Sequence, residues 1–439
     1  MPSESGSMMN AAPTSCDIFC NVVDNFGDIG VCWRLARQLA NEHGLRVRLW
    51  TDDLASFARL CPEADRDSDK QNCRGVEVLH WHKEFPEVQP AELVIGAFAC
   101  KLPDRYIEAM AKIQSLSVQE AKMDARRQGF IERDSTNQYS EGDEAAANNA
   151  DASLVGRKPI WINLEYLSAE DWVESHHKLP SPHPKLPLTR YFFFPGFTRR
   201  TGGLQLERDL FARRDAFQRD VDAQLNFWTS IGMDMPMTGM LKISLFAYEN
   251  AALDGLFDAW SAGKQSVICL VPEGRIMPQA GQYFGAAAPH AGNAYTRGNL
   301  HVRIVPFVAQ ERYDELLWAC DINFVRGEDS MVRALWAAKP FVWQIYPQHD
   351  AVHIQKLSAM MARYCEGLPG DAEQALRGMW EAWNGTTGEL PAIWNDFHAH
   401  QSMLRQHADY WARRLAANNL VLNLLDFCGE IGRMRALKI

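Results

Sequence analysis

Apolar runs alternate with helical stripes along most of this chain. Ile18-Phe19-Cys20-Asn21-Val22-Val23 reads as a buried strand. Cys32, Leu35, Ala36 and Leu39 then repeat at the i, i+3, i+4, i+7 spacing of a helix with one face on a core. Gly44 is placed to close that helix. Residues 46–50 and 76–81 alternate as strands, whereas 93–98 and 159–164 are continuous apolar runs, as in strands covered on both faces of a parallel sheet. Strands separated by helical stripes predict βαβ units. Residues 119–156 break the rhythm: they are small, polar and acidic-leaning, and predict a mobile surface insertion. The Pro-rich residues 180–187 predict an extended connection, and the aromatic run 191–197 a strand and turn at a domain edge.

The pattern restarts near Leu241. Strands are predicted at 243–248, 266–271, 302–307, 322–325 and 341–345, with helices at 251–262, 311–319 and 330–338. The Gly/Ala-rich residues 278–298 read as a loop, and everything from His353 onward as helix. This organisation is α/β: two Rossmann-like lobes facing a cleft, with a helical C-terminal tail. Ligands are expected between the lobes, at the carboxyl edges of both sheets.

Length and charge narrow the picture. At 439 residues the chain exceeds one ordinary core. A formal net charge of -10 argues against a nucleic-acid coat or an anionic membrane surface as partner. The 10 cysteines contain no CxxC pair and lie mostly in apolar runs, which predicts buried thiols in a reducing compartment. The first residues lack the charged and apolar regions of a signal peptide, and no apolar run reaches membrane-spanning length. The expectation is a soluble cytoplasmic protein.

Two strand-to-helix turns carry candidate chemistry. In the first lobe, Asp24-Asn25-Phe26-Gly27-Asp28-Ile29-Gly30 places two carboxylates and two glycines at the sheet edge. On spacing alone, Asp28 is equally a helix N-cap and Gly27 a turn residue. In the second lobe, Arg326-Gly327-Glu328-Asp329-Ser330 combines a cation with a helix N-terminus, which suits a diphosphate. Glu328 and Asp329 would then take sugar hydroxyls or cap the helix; the plain alternative is a capped helix with Arg326 on the surface. Phe246, Tyr248, Phe307 and Tyr346 fall at strand ends, where rings stack a nucleobase or pack the rim. Neither GxxxxGK[ST] nor GxGxxG is present. His349 and His353 have the i, i+4 spacing of zinc ligands but no clear third ligand, and His80-Trp81-His82 reads as structural.

Five ordered segments carry a resemblance: the stretch from Asp24 to Arg37, Leu49-Trp50-Thr51-Asp52-Asp53, Leu164-Glu165-Tyr166-Leu167-Ser168-Ala169-Glu170, Arg326-Gly327-Glu328-Asp329-Ser330, and Phe341-Val342-Trp343-Gln344-Ile345-Tyr346-Pro347-Gln348. Together they resemble the protein-arginine rhamnosyltransferases that modify elongation factor P, over nearly the whole length. The departures are the insertion at 119–156 and the loop at 278–298. The resemblance implies the GT-B glycosyltransferase arrangement, and an inverting, metal-independent enzyme without a cofactor. Its donor would be dTDP-β-L-rhamnose and its acceptor one arginine of elongation factor P, which when modified helps ribosomes stalled on proline runs. Neither nucleic acid nor membrane is implied as a partner.

The same resemblance implies that Asp28 is the general base, and Asp24, four residues away in one turn, suits an orienter or ion-pair partner of the guanidinium. It puts the nucleotide sugar on Phe246, Tyr248, Phe307, Gln310, Arg326, Glu328, Asp329, Ser330 and Tyr346, with no metal ligands. Phe307 would stack thymine, while Tyr248, Arg326 and the Asp329-Ser330 backbone hold the diphosphate. Residues 1–225 would form the acceptor-binding lobe, 226–400 the nucleotide-sugar lobe, and 401–439 helices packing back towards the first lobe. Two alternatives come from other classes: a metal-dependent hydrolase on His349 and His353, and a non-catalytic partner of a translation factor.

Overall fold

The stripe at Cys32, Leu35, Ala36 and Leu39 is buried along the helix Gly27–Asn41, which packs on the first of two parallel sheets. The computed structural model describes residues 12–23, 26–113, 158–347, 352–385 and 389–436. The segment 119–156, Asp24 and His349 therefore lie outside the described residues.

The first sheet comprises β1 (Ser15–Cys20), β2 (Arg46–Thr51), β3 (Lys70–Cys73), β4 (Val76–His80), β5 (Leu93–Ala97), β6 (Ile160–Leu164), β7 (Pro180–Pro182) and β8 (Thr189–Phe193), in the order β3-β4-β2-β1-β5-β6-β8-β7. The second comprises β9 (Leu241–Leu245), β10 (Val267–Pro272), β11 (Ala294–Arg297), β12 (Leu300–Val305), β13 (Ile322–Arg326) and β14 (Phe341–Gln344), in the order β11-β12-β10-β9-β13-β14. All inner pairs are parallel; β3, β7 and β11 are antiparallel edges. Strands buried on both faces explain the continuous apolar runs: every residue of β5, β6, β10 and β13 is buried. Chain order reverses between β1 and β5, and again between β9 and β13. These are the crevices where open α/β sheets take ligands. Two such lobes face each other across a cleft in the GT-B arrangement.

The sequence reading needs correction at the sheet edges. Residues 278–298 are not simply a loop: the helix Met277–Tyr283 enters them and β11 pairs with β12, with Tyr295 stacked on Phe284 at 5.2 Å. The polar strand β3 has no apolar alternation to betray it, because an edge strand buries little. The C-terminal helices cross between the lobes. Leu404, Trp411 and Leu415 of the helix Gln401–Ala416 join the second core, whereas Leu420, Leu424 and Phe427 of the helix Leu420–Ala436 join the first. All ten cysteines are free, nine of them buried. Among the described residues no helix is long and apolar enough to cross a membrane.

Candidate active site

The turn after β1 is held from two sides. Asp52, just beyond β2, accepts from the Asn21 side-chain amide at 2.8 Å and from the Val22 N–H at 2.9 Å. Asp28 sits in the first turn of the helix Gly27–Asn41, is only 4% exposed, and accepts the Val23 N–H at 2.9 Å. It is not the N-cap; Phe26 holds that position and has no side chain able to cap. Asp28 is thus a buried carboxylate at a helix N-terminus, where the aligned peptide dipoles favour negative charge. Phe26 and Gly27 line the cleft beside it.

The facing turn begins where β13 ends. Arg326 is 6% exposed, and its guanidinium carbon lies 4.6 Å from the Phe246 ring centre and 4.4 Å from that of Tyr248. Its Nε and Nη1 are buried without a hydrogen-bond partner. Gly327 follows with φ +62°, a left-handed conformation that favours glycine. The Ser330 hydroxyl locks the turn, donating to the Arg326 carbonyl and accepting the Arg326 N–H. The helix Asp329–Ala337 begins there.

Between the turns lies a cleft of about 620 Å³. Eight of the nine expected nucleotide-sugar residues line it: Phe246, Tyr248, Phe307, Gln310, Arg326, Glu328, Asp329 and Ser330. Tyr346 does not. It is 38% exposed on an adjoining groove, with its ring edge-on to Tyr248 at 5.5 Å. Tyr313, which sequence patterning did not single out, also lines the cleft, 5.7 Å from Phe246; burial raises its hydroxyl pKa. Phe307 packs on Phe26 of the first lobe at 4.9 Å, with the Arg59 guanidinium 4.9 Å over it. A base stacking on Phe307 must displace one of these two.

The acidic pair of the second turn behaves differently from its sequence reading. Glu328 makes no side-chain cap; its Oε2 accepts the Leu167 N–H of the first lobe at 2.9 Å. Asp329 accepts from Arg34 Nε at 3.0 Å, again across the cleft. Gln310 bridges too, donating to the Gly30 carbonyl at 2.7 Å and accepting from Arg37 at 3.2 Å. The lobes touch closely here: a Cβ on Gly30 would lie 3.2 Å from Gln310 Nε2 and 3.4 Å from an Asp329 carboxylate oxygen. On the first-lobe side of Asp329 a smaller cavity, about 440 Å³, is lined by Phe98 and Glu165 among others. Burial raises the Glu165 carboxyl, which accepts from the Asn163 amide. Its signal in the sequence is a carboxylate directly after a buried strand.

Arg34 belongs to a buried ionic cluster. It is 2% exposed and also reaches Glu207 at 3.4 Å; Arg333 clamps Asp314 with two bonds of 2.7 Å and Glu207 with a third. Burial alone would raise the Glu207 carboxyl, but Arg333 and Arg34 outweigh it and hold it at about 2. A depressed carboxylate stabilises the fold fully above its unfolded value, about 4.3, and that contribution is lost as pH falls through the folded value. The unfolding midpoint of the wild type should therefore drop steeply from about pH 4.5 towards pH 2, and that of Glu207→Gln less so. Parallel melting profiles for the two proteins would remove Glu207 from this role.

Metal-capable groups are sparse. His353 stands near the start of the helix Val352–Tyr364, with His349 outside the described residues. Among the described residues, Asp69, His80 and His82 form the one cluster of three such side chains, on the first lobe.

Comparison with known proteins identifies the family. The family model "Elongation-Factor P (EF-P) rhamnosyltransferase EarP" matches residues 16–122 and 143–429. The unmatched residues 123–142 fall inside the expected insertion. A protein-arginine rhamnosyltransferase of Pseudomonas putida is 47% identical over 412 residues, spanning 94% of this chain and 97% of its own. One from Pseudomonas aeruginosa is 43% identical over 398 residues, spanning 91% and 94%. A solved structure, "Structural basis for EarP-mediated arginine glycosylation of translation elongation factor EF-P", superposes with a TM-score of 0.61 at 35% identity, covering 94% of this chain and 98% of that one. The chain belongs to the elongation factor P rhamnosyltransferase family, EarP.

Proposed function

We propose that this protein transfers L-rhamnose from dTDP-β-L-rhamnose to one arginine side chain of elongation factor P, with inversion and without a metal ion. The observation that carries the donor half is Arg326. A buried guanidinium with two unsatisfied N–H-bearing nitrogens, sandwiched between aromatic rings at a helix N-terminus, is costly unless an anion completes it. A nucleoside diphosphate supplies that anion, and the cleft rings supply a surface for thymine.

The acceptor half rests on the first-lobe turn. An arginine guanidinium has a pKa above about 12 and no free lone pair while charged. Asp28 takes one of its protons as the nitrogen attacks the anomeric carbon. The C–N bond forms as the bond from that carbon to the diphosphate oxygen breaks. Asp24 orients the guanidinium from the same turn. The electron pair leaves on dTDP, and Arg326 with the N–H groups at the start of the Asp329 helix stabilises it. An inverting displacement needs base and leaving group on opposite faces of the sugar, and one lobe supplying each suits that need. Fixed protein charges serve both ends, so no step calls for a metal and no cofactor takes part. The modified factor would then assist ribosomes stalled on proline runs in the cytoplasm. Family membership displaces the hydrolase reading of His349 and His353.

With unmodified elongation factor P and dTDP-rhamnose, turnover should persist at full rate in excess EDTA, and NMR of the product should show an α-linked rhamnosyl arginine. Turnover abolished by chelation and restored by a divalent ion would overturn metal independence. A β-linked product would overturn inversion.

A further inference from the structure

We propose that Asp69, His80 and His82 form a binding site for a divalent transition-metal ion of the zinc class, separate from the transfer cleft. The sequence alone gave this His-x-His no role beyond structure. In the fold, β3 and β4 pair antiparallel with Lys70 opposite Leu79, which puts Asp69 opposite His80; the His80 N–H donates to the Asp69 carbonyl at 2.8 Å. Trp81 turns inward, its ring edge-on to Phe19 at 5.5 Å, and its backbone N–H donates to the Thr51 carbonyl at 2.7 Å. Alternation then sends His80 and His82 to the same side. Their ring centres are 4.0 Å apart.

The ligand atoms already converge. One Asp69 oxygen lies 3.1 Å from His80 Nδ1 and 2.9 Å from His82 Nε2, and the three atoms all fall within 4.8 Å of one another. Zinc bonds to imidazole nitrogen and carboxylate oxygen are about 2.0–2.2 Å, so in a tetrahedral shell two ligands stand about 3.3–3.6 Å apart. The two Asp–His separations need to open by only a few tenths of an ångström to meet that, and side-chain rotation of the two imidazoles sets the third. Two imidazoles and one carboxylate suit zinc, cobalt, nickel or copper better than calcium or magnesium, which prefer all-oxygen shells. Each coordinating nitrogen offers its lone pair, and the ring proton resides on the other nitrogen. Three protein ligands leave room for water in the fourth position.

The bound ion would tie the edge strand β3 to the carboxyl end of β4. That rim continues into the acceptor turn: Trp81 is bonded to Thr51, and its neighbour Asp52 holds Asn21 and Val22. The expected consequence is a stiffer rim and a more stable lobe, not a change in the chemical step.

The full-length protein, stripped with chelator and dialysed, is titrated with Co²⁺ and with Zn²⁺. One Co²⁺ per chain should bind with the visible absorption of a four- or five-coordinate ion, and Zn²⁺ should displace it. Zn²⁺ should also raise the thermal midpoint. His82→Ala and Asp69→Asn, at exposed or half-exposed positions, should fold with the circular dichroism of wild type and lose both effects. Binding only at millimolar ion, or an unchanged stoichiometry in His82→Ala, would overturn the site and leave a plain Asp–His hydrogen-bonded cluster.

Discussion

Asp28→Asn should abolish rhamnose transfer while leaving donor binding intact. The two side chains have the same shape, and the Asn carbonyl can still accept the Val23 N–H, so the turn keeps its anchor. What is lost is the base. An amide cannot take a proton from a guanidinium, and general-base catalysis contributes about 10²–10⁴ in rate. The negative charge facing the cationic acceptor is lost as well. The expected fall in kcat/KM is therefore on the order of 10³-fold or more. Donor affinity by calorimetry should stay within about twofold, because the residues proposed to hold the diphosphate belong to the other lobe. Donor binding lost together with transfer would contradict the division of labour between lobes, and near-normal turnover would remove Asp28 as base.

Arg326→Met should do the reverse and weaken the donor. A hydrogen bond to a charged group contributes about 1.5–3 kcal/mol, so losing a forked phosphate contact should lower dTDP-rhamnose affinity on the order of 10²-fold. Methionine keeps an apolar stem between Phe246 and Tyr248. The substituted protein, without ligand, should melt no lower than wild type, since an uncompensated buried charge has been removed. A donor affinity equal to that of wild type would reject the diphosphate role. Lower affinity with a collapsed melting temperature would instead mark Arg326 as structural.

The strand runs and the stripe from Cys32 to Leu39 are legible in the sequence because burial on fixed faces imposes a period on apolar residues. Both strand-to-helix turns are legible for the same reason, since they lie where those periods change. The charged contacts are not. Arg34, Glu207, Asp314, Asp329 and Arg333 are scattered along the chain and meet only when the lobes close on one another. Glu328 and Asp329 look unsuited to an anion site when read locally; their partners, the Leu167 N–H and Arg34, are on the far side of the cleft. Tyr346 follows a strand end, as a lining ring should, yet the chain has already turned onto the neighbouring groove. Edge strands such as β3 and β11 bury too little to leave a pattern.

The interlobe contacts also say how the two halves of the site could be coupled. Asp329 touches Arg34 of the helix that carries Asp28, the proposed base, and stands at the head of the helix proposed to stabilise the diphosphate. Gln310 spans the same gap to Gly30, two residues from Asp28. A ligand that pulls on the Asp329 turn therefore pulls on the helix carrying the base, which fits domain closure as the step that completes the site.

The most direct test is the mass of the acceptor. Unmodified elongation factor P, incubated with this protein and saturating dTDP-rhamnose, should gain the mass of one deoxyhexose, and fragmentation should place it on a single arginine. Changing that arginine to lysine should leave the factor unmodified. No mass gain, from a protein that binds the donor normally, would contradict the account.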